Sequence, residues 1–148
     1  MEGALENLRS LHKELAMLTV YAPAKMNLVL EVLGKDNDYH RISSIVQSVD
    51  LYDVLNFQPD EEICLECTEP SLKHDNLVTR AATLLRESTG CNLGARIELR
   101  KHIPWGMGLG GGSSDAAATL LALNELWGLG LSLSELVPLA SKLGSDVP

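Results

Sequence analysis

Apolar and polar positions along the chain predict a helix at its start, then a series of strands, then helices alternating with one further strand. The predicted helices cover residues 2–17, 77–88, 114–127 and 132–142, and the predicted strands cover 18–21, 28–33, 42–51, 54–57, 63–67 and 95–100. No repeat, low-complexity run or linker interrupts this order. We therefore expect one continuous α+β domain over residues 19–148.

The first predicted helix is amphipathic and carries no chemistry of its own. Its charged residues lie largely on other faces than its leucines. The leucines recur at helical spacing, at Leu5, Leu8, Leu11, Leu15 and Leu18. We interpret residues 1–18 as an N-terminal extension that packs on the domain or on a partner.

Local signals mark the boundaries of the later helices. Asn76 is a suitable N-cap for the helix that follows it. Ser132 and Glu135 have the spacing of a capping box, and Pro138 then predicts either a kink or a later helix start. The helix over 114–127 is apolar on most sides, so we expect it to be central.

Two features of the predicted strands bear on function. A segment of small residues separates the first two apolar stretches. It contains Lys25 and Asn27. A lone lysine beside apolar strands is usually a surface residue, so its position alone gives Lys25 no role. Farther along, the short strands 54–57 and 63–67 are predicted to pair around a polar turn.

Composition limits the classes of partner. The chain has 148 residues, 45% of them hydrophobic, which is enough for one domain with a sizeable core. Its net charge of −8 argues against nucleic acid or an anionic membrane surface as a partner. No apolar run is long enough to span a membrane, and acidic residues near the start do not suit a targeting peptide.

Cysteine usage is typical of a reducing compartment. Three cysteines, an odd number without an export signal, favour the cytoplasm. Cys64 and Cys67 form a C-x-x-C, but in a strand this spacing directs the two side chains to opposite faces. We therefore expect ordinary cysteines there and no metal or redox site.

The segment from Pro104 to Asp115 contains most of the chemistry that the sequence predicts. It is rich in glycine, ends in two serines and leads from the strand 95–100 into an Ala- and Leu-rich helix. Glycines allow backbone N–H groups to converge on an anion, and the positive end of a helix dipole favours negative charge there. The segment therefore predicts a phosphate site.

Other glycine-rich motifs fit less well. A Walker A loop requires Gly-Lys-Ser/Thr, and the only Gly-Lys pair is followed by Asp36. A Gly-x-Gly-x-x-Gly match, the pattern of dinucleotide-binding sites, begins at Gly106. Such a site also requires an acidic residue about 20 positions later, at the end of a second strand. The acidic residues downstream, Glu125 and Glu135, fall in helical patterns instead. A flexible linker would not be bracketed by an apolar strand and a helix.

The sequence Pro-x-Gly-x-Gly-Leu-Gly-Gly-Gly-Ser-Ser-Asp-Ala-Ala at 104–117 resembles the phosphate-binding motif of the GHMP kinase superfamily. Residues 23–28, the pair Tyr39-His40 and residues 144–148 narrow the resemblance to a superfamily member of the non-mevalonate isoprenoid pathway. The implied fold is the GHMP kinase N-terminal domain (ribosomal protein S5 domain 2-like), a twisted sheet backed by helices.

The resemblance also implies a reaction, in which ATP with its Mg²⁺ phosphorylates a hydroxyl of a cytidine-diphosphate sugar alcohol. Asp146 would be the general base and Lys25 its catalytic partner, and no separate metal site is implied. Asn27, Tyr39 and His40 would bind the substrate. The residues expected to bind ATP are Asn76, Lys101, Pro104, Trp105, Gly106, Met107, Gly108, Leu109, Gly110, Gly111, Gly112, Ser113 and Ser114.

This chain departs from the family pattern at three points. The turn before Tyr39 is about one residue shorter, and Met107 stands where a small residue is usual. Family members are nearly twice as long, so we expect a truncated chain that lacks the second domain and is poorly active alone. Another GHMP kinase, acting on phosphomevalonate or homoserine, and a non-catalytic ATP-binding module remain alternatives.

Overall fold

The computed structural model describes residues 17–36, 39–72 and 74–148. The extension helix predicted over residues 2–17 therefore lies almost entirely outside the described residues. In chain order the elements are β1 (Leu18–Asp36), β2 (Tyr39–Asp60), β3 (Ile63–Cys67), a 3₁₀ turn (Pro70–Leu72), α1 (Leu77–Thr89), β4 (Gly94–Arg100), α2 (Gly111–Leu126) and α3 (Leu133–Leu143).

The four strands form one mixed sheet in the order β1-β2-β4-β3. The β1–β2 and β2–β4 pairs are antiparallel, whereas β3 and β4 are parallel. The predicted pairing of 54–57 with 63–67 is therefore wrong, because β4 lies between these two strands. Nearness in sequence favoured a hairpin, but α1 provides the crossover that a parallel pair requires.

The β1–β2 pair is a long ribbon in which the predicted breaks do not occur. The small-residue segment around Lys25 stays within β1, and register shifts at Pro23/Ala24, Asn27/Val29 and Val32/Gly34 absorb the irregularities. Such bulges bend and twist a strand without ending it. Beyond Lys25 the ribbon exposes large apolar side chains, among them Leu30 and Ile45.

The core lies between one face of the sheet and the helices. Alternation along the strands places one side chain in two on this face. Burying each large apolar side chain stabilises the fold by roughly 1.5–3 kcal/mol. The buried apolar residues of the strands and of α1 and α2 include Leu55, Phe57, Ala95, Ile97, Leu99, Val78, Ala81, Leu85, Ala116, Leu120 and Leu123.

The capping signals are confirmed. Oδ1 of Asn76 accepts a hydrogen bond from the Val78 amide at 2.9 Å, and the Ser132–Glu135 capping box is formed at the start of α3. Pro138 lies inside α3, so the later start that it could have indicated is wrong. None of the described helices has the length and hydropathy to cross a membrane.

Helix α2 is central, as predicted, but it begins at Gly111 instead of Ser114. Glycine has a low helix propensity, which is why the pattern indicated a later start. The position is tightly packed, since a Cβ at Gly111 would lie 3.0 Å from the Ile103 side chain. A larger residue at Gly111 would therefore require Ile103 to shift.

Candidate active site

The glycine-rich loop between β4 and α2 takes a conformation that depends on its glycines. Gly106, Gly108 and Gly110 have φ angles of 76°, 74° and 70°. These values lie in the left-handed region, which other residues adopt only at a cost of about 1–2 kcal/mol. Three left-handed residues at alternate positions curl the backbone around a cavity of about 350 Å³.

The N-terminus of α2 forms one wall of this cavity. The first helical hydrogen bond runs from the Ser114 amide to the Gly110 carbonyl at 2.9 Å, so the amides of Gly111, Gly112 and Ser113 precede it. These amides lie at the positive end of the helix dipole. The wall therefore has the properties of an anion site.

Most of the residues expected to bind ATP line the cavity. The lining members of that set are Asn76, Lys101, Pro104, Trp105, Gly106, Gly108, Leu109, Gly110, Gly111, Gly112 and Ser113. Ser114 and Met107 are not among the lining residues, and Met107 is 72% exposed. The Met107 side chain therefore extends into solvent and leaves the cavity open.

The two side chains expected to be catalytic lie together at the edge of the loop. Nζ of Lys25 is 3.3 Å from Oδ2 of Asp146, although the two residues come from β1 and from the segment after α3. The Lys25 amide also donates to the Leu109 carbonyl at 2.9 Å, and its side chain packs against Gly110. Lys25 is thereby fixed to the loop by backbone and side chain alike.

A second charged cluster lies beneath the loop. The ammonium of Lys101 donates to Oδ2 of Asp53 and, at 2.9 Å, to Oδ2 of Asp115. The other oxygen of Asp53 accepts from the amides of His102 and Ile103 at 2.6 and 2.9 Å. The cluster of Asp53, Lys101 and Asp115 therefore ties β2 and the loop entry to α2.

Burial and ion pairing act in opposite directions on Lys101 and on Asp115, and a different one prevails at each residue. Burial alone would lower the pKa of Lys101, but the hydrogen bonds and charges of Asp53 and Asp115 outweigh it and hold that pKa above its ordinary value. Burial raises the pKa of Asp115 to about 7, and the Lys101 ammonium opposes this only in part. Asp115 can therefore exchange a proton near neutral pH.

The sequence interpretation missed Asp53 and gave Asp115 no role. Asp53 shares its strand face with Leu55 and Phe57, and all three are fully buried. This period-two pattern was a usable signal, because a carboxylate facing the core requires partners. Lys101 would have been an obvious partner, but it was interpreted only as a nucleotide contact.

Two of the expected ATP contacts already have partners within the protein. Both polar atoms of the Asn76 side chain serve the cap, one accepting from Val78 and the other donating to the Leu72 carbonyl. The Lys101 ammonium is held by carboxylates, and its side chain is only 7% exposed. Both residues line the cavity. A ligand there would therefore contact side chains whose polar groups already have hydrogen-bond partners within the protein.

The residues expected to bind the substrate lie along the β1–β2 ribbon. Oδ1 of Asn27 accepts from the Ser44 hydroxyl at 3.1 Å, two positions beyond Lys25. Tyr39 and His40 begin β2, where they pair with Asp36 and Lys35. Along β1, Lys35 lies ten positions beyond Lys25. The substrate role of Asn27, Tyr39 and His40 stays a prediction.

Within the described residues, no group of three or more His, Cys, Asp or Glu side chains is arranged to hold a metal ion. Cys64 is exposed and Cys67 is buried, which confirms that the two cysteines face opposite sides of β3. Neither cysteine lines the cavity.

Comparison with known proteins agrees with this fold. The family model described as GHMP kinases N terminal domain matches residues 76–148. This match agrees with the described elements and confirms the expected α+β fold of the GHMP kinase N-terminal domain.

Two similar proteins of known name share that name. The chain is 53% identical over 138 residues to a 4-diphosphocytidyl-2-C-methyl-D-erythritol kinase of Synechococcus sp. (strain CC9605), covering 89% of this chain and 45% of the relative. It is 49% identical over 137 residues to the kinase of the same name from Nitrosococcus oceani, covering 89% of this chain and 49% of that one.

A solved structure of 4-(cytidine 5'-diphospho)-2C-methyl-D-erythritol kinase matches with a TM-score of 0.76 and 42% identity. The match covers 88% of this chain and 47% of the solved one. The chain thus spans about half the length of the relatives it matches.

Proposed function

We propose that the chain forms the nucleotide-binding part of an ATP-dependent small-molecule kinase. The observation that carries the proposal is the Lys25–Asp146 pair, which lies against the glycine loop at the anion-binding end of α2. An ammonium and a carboxylate beside such a site are the groups that phosphoryl transfer to an alcohol requires.

In this proposal Asp146 is the general base. Its side chain is 54% exposed, so an alcohol can approach it from solvent. An alcohol is a poor nucleophile until a positioned carboxylate removes its proton. Lys25 is oriented by the loop, so its ammonium is placed to lower the pKa of the hydroxyl and to balance charge on the transferred phosphoryl group.

ATP would lie along the glycine loop, with its phosphates on the amides of Gly111, Gly112 and Ser113. The adenosine would lie toward the part of the cavity lined by Asn76 and Lys101. Mg²⁺ would arrive with the nucleotide and neutralise charge on the phosphates. Trp105, which is 59% exposed in the cavity wall, would then report nucleotide binding by its fluorescence.

The acceptor we propose is 4-diphosphocytidyl-2-C-methyl-D-erythritol, and the relatives' shared name supports this compound. The choice of its 2-hydroxyl follows from the resemblance to the family. Asn27, Tyr39 and His40 would bind this substrate, the last two at the cytosine. We assign residues 19–148 to the nucleotide-binding domain and expect the relatives' additional length to complete the substrate cleft. The three free cysteines suit the reducing cytoplasm.

The test is an acceptor comparison with the full-length protein. MgATP is supplied with 4-diphosphocytidyl-2-C-methyl-D-erythritol, homoserine or phosphomevalonate, and both ADP formation and the mass of the acceptor are measured. We expect only the cytidine compound to gain a phosphoryl group. Transfer to one of the other acceptors would overturn the substrate assignment, and ATP binding without any transfer would indicate a non-catalytic module.

A further inference from the structure

The buried cluster of Asp53, Lys101 and Asp115 contains one carboxylate oxygen that has no hydrogen-bond partner within the described part of the chain. Oδ1 of Asp115 is buried and has no hydrogen-bond partner among the described residues. Both oxygens of Asp53, in contrast, accept hydrogen bonds. An unpartnered buried oxygen is costly, so Asp115 has a vacant position for a proton and Asp53 has none.

This cluster forms part of the phosphate site. Lys101 and Asp115 line the cavity beside the α2 N-terminus, and Nζ of Lys101 would lie only 3.2 Å from a Cβ at Gly111. Two carboxylates against one ammonium give the cluster a net charge of −1 when all three are ionised. This charge opposes a bound polyphosphate at short range, where protein surroundings screen it weakly.

The other charged groups near the loop do not cancel this charge. Lys25 is paired with Asp146, and Asp75 adds a further negative charge at the cavity wall. His102 follows Lys101, and its Nδ1 lies 3.1 Å from the Tyr52 carbonyl. A proton on Asp115 would make the cluster neutral and remove the repulsion.

On the basis of the proposed function, we propose that Asp115 takes up a proton when a nucleoside triphosphate binds the glycine loop and releases it when the nucleotide leaves. Asp115 is thus a positioning residue that sets the charge of the phosphate site. Because burial already places the pKa of Asp115 near 7, the exchange occurs at neutral pH. Linkage then requires nucleotide affinity to fall as the pH rises.

The experiment is calorimetric titration of the full-length protein with MgATP, in buffers of different ionisation enthalpy. The dependence of the observed enthalpy on the buffer gives the number of protons taken up. Near pH 7 we expect uptake of up to about half a proton, because half of the free protein already carries it. Affinity should fall about threefold or more between pH 7 and pH 8.

Asp115→Asn is the decisive variant, because asparagine has a similar shape and does not titrate. It should bind MgATP without the extra proton uptake and with a flatter pH profile. Asp60→Asn, which changes a carboxylate outside the cavity, and His102→Gln should both keep the wild-type uptake.

Each result discriminates between the two proposals. If folded wild-type protein does not bind MgATP, the proposed function fails. If ATP binds and Asp115→Asn takes up as many protons as the wild type, the inference about Asp115 is overturned and the proton belongs to another group. Should the variant not fold, infrared difference spectra of the wild type provide the test, since ATP must increase the band of a protonated carboxyl group.

Discussion

The ammonium of Lys25 lies 3.3 Å from the carboxylate of Asp146, against the backbone of the glycine loop. Both side chains are partly exposed, and exposed ion pairs contribute about 1 kcal/mol or less to stability. The pair is therefore better explained by chemistry than by stability. Asp146→Asn should lower kcat by about 10²–10⁴-fold, the usual effect of losing a general base.

The same variant should change the free energy of unfolding by less than about 1 kcal/mol and leave ATP affinity nearly unchanged. Asp60→Asn is the matched control, since Asp60 is another partly exposed aspartate, 3.6 Å from Arg96 in an ion pair outside the cavity. Steady-state kinetics and urea unfolding of both variants provide the comparison. Equal kcat values for the two would remove Asp146 from the mechanism.

Gly110 touches the Lys25 side chain, and this contact predicts a defect that backbone strain alone would not cause. A Cβ at Gly110 would lie 2.7 Å from Cγ of Lys25, so Gly110→Ala must displace that side chain. We expect Gly110→Ala to lower kcat at least tenfold because the ammonium leaves its position.

Gly128→Ala separates strain from displacement. Gly128 has a similar φ of 63°, but an added Cβ would meet nothing within 4 Å. Both variants should lose about 1–2 kcal/mol of unfolding free energy, as expected for alanine in the left-handed region. Only Gly110→Ala should lose phosphoryl transfer, and a similar loss in Gly128→Ala would show that strain is sufficient.

Local rules predicted the parts of the fold that local interactions determine. The Asn76 cap and the Ser132–Glu135 capping box depend on neighbours in sequence, and both predictions are confirmed. The predicted partner of β3 is wrong, because the choice between β2 and β4 depends on the α1 crossover. The small-residue segment around Lys25 is predicted to break the strand, and this prediction is also wrong. The bulges that keep it within β1 form only against a partner strand, which the local sequence does not show.

The site shows the same division between local and long-range information. The motif indicated the loop, and the resemblance brought Lys25 and Asp146 into one hypothesis. The buried partners of Lys101 were missed because Asp53 and Asp115 lie far apart in sequence, on different elements. Only the fold shows that one lysine pairs with carboxylates from both β2 and α2.

Asp53 should be important for stability. Its carboxylate is fully buried and accepts from Lys101, His102 and Ile103, so Asp53→Asn replaces one acceptor oxygen by an NH₂ group that faces donors. Breaking a buried ion pair typically costs about 3–5 kcal/mol. Chemical unfolding should show a loss in this range. A loss below about 1 kcal/mol would mean that the cluster does not hold the loop to the sheet.

Asp115 should make stability depend on pH in the direction opposite to that of an aspartate whose folded pKa is lowered. Its folded pKa of about 7 lies above the ordinary value of 3.8, so between these values the native state binds more protons than the unfolded state. The contribution of Asp115 is thus fully present below about pH 4 and is lost as the pH rises through 7.

The comparison between wild type and Asp115→Asn isolates this contribution from those of other groups, since asparagine does not titrate. The wild type should lose stability relative to the variant from pH 5 to pH 7.5, by at most about 1.4 kcal/mol per pH unit. Urea unfolding at several pH values measures the difference. Parallel stability curves for the two proteins would contradict a raised pKa, and curves that diverge in the opposite direction would mean that the Lys101 ammonium outweighs burial at Asp115.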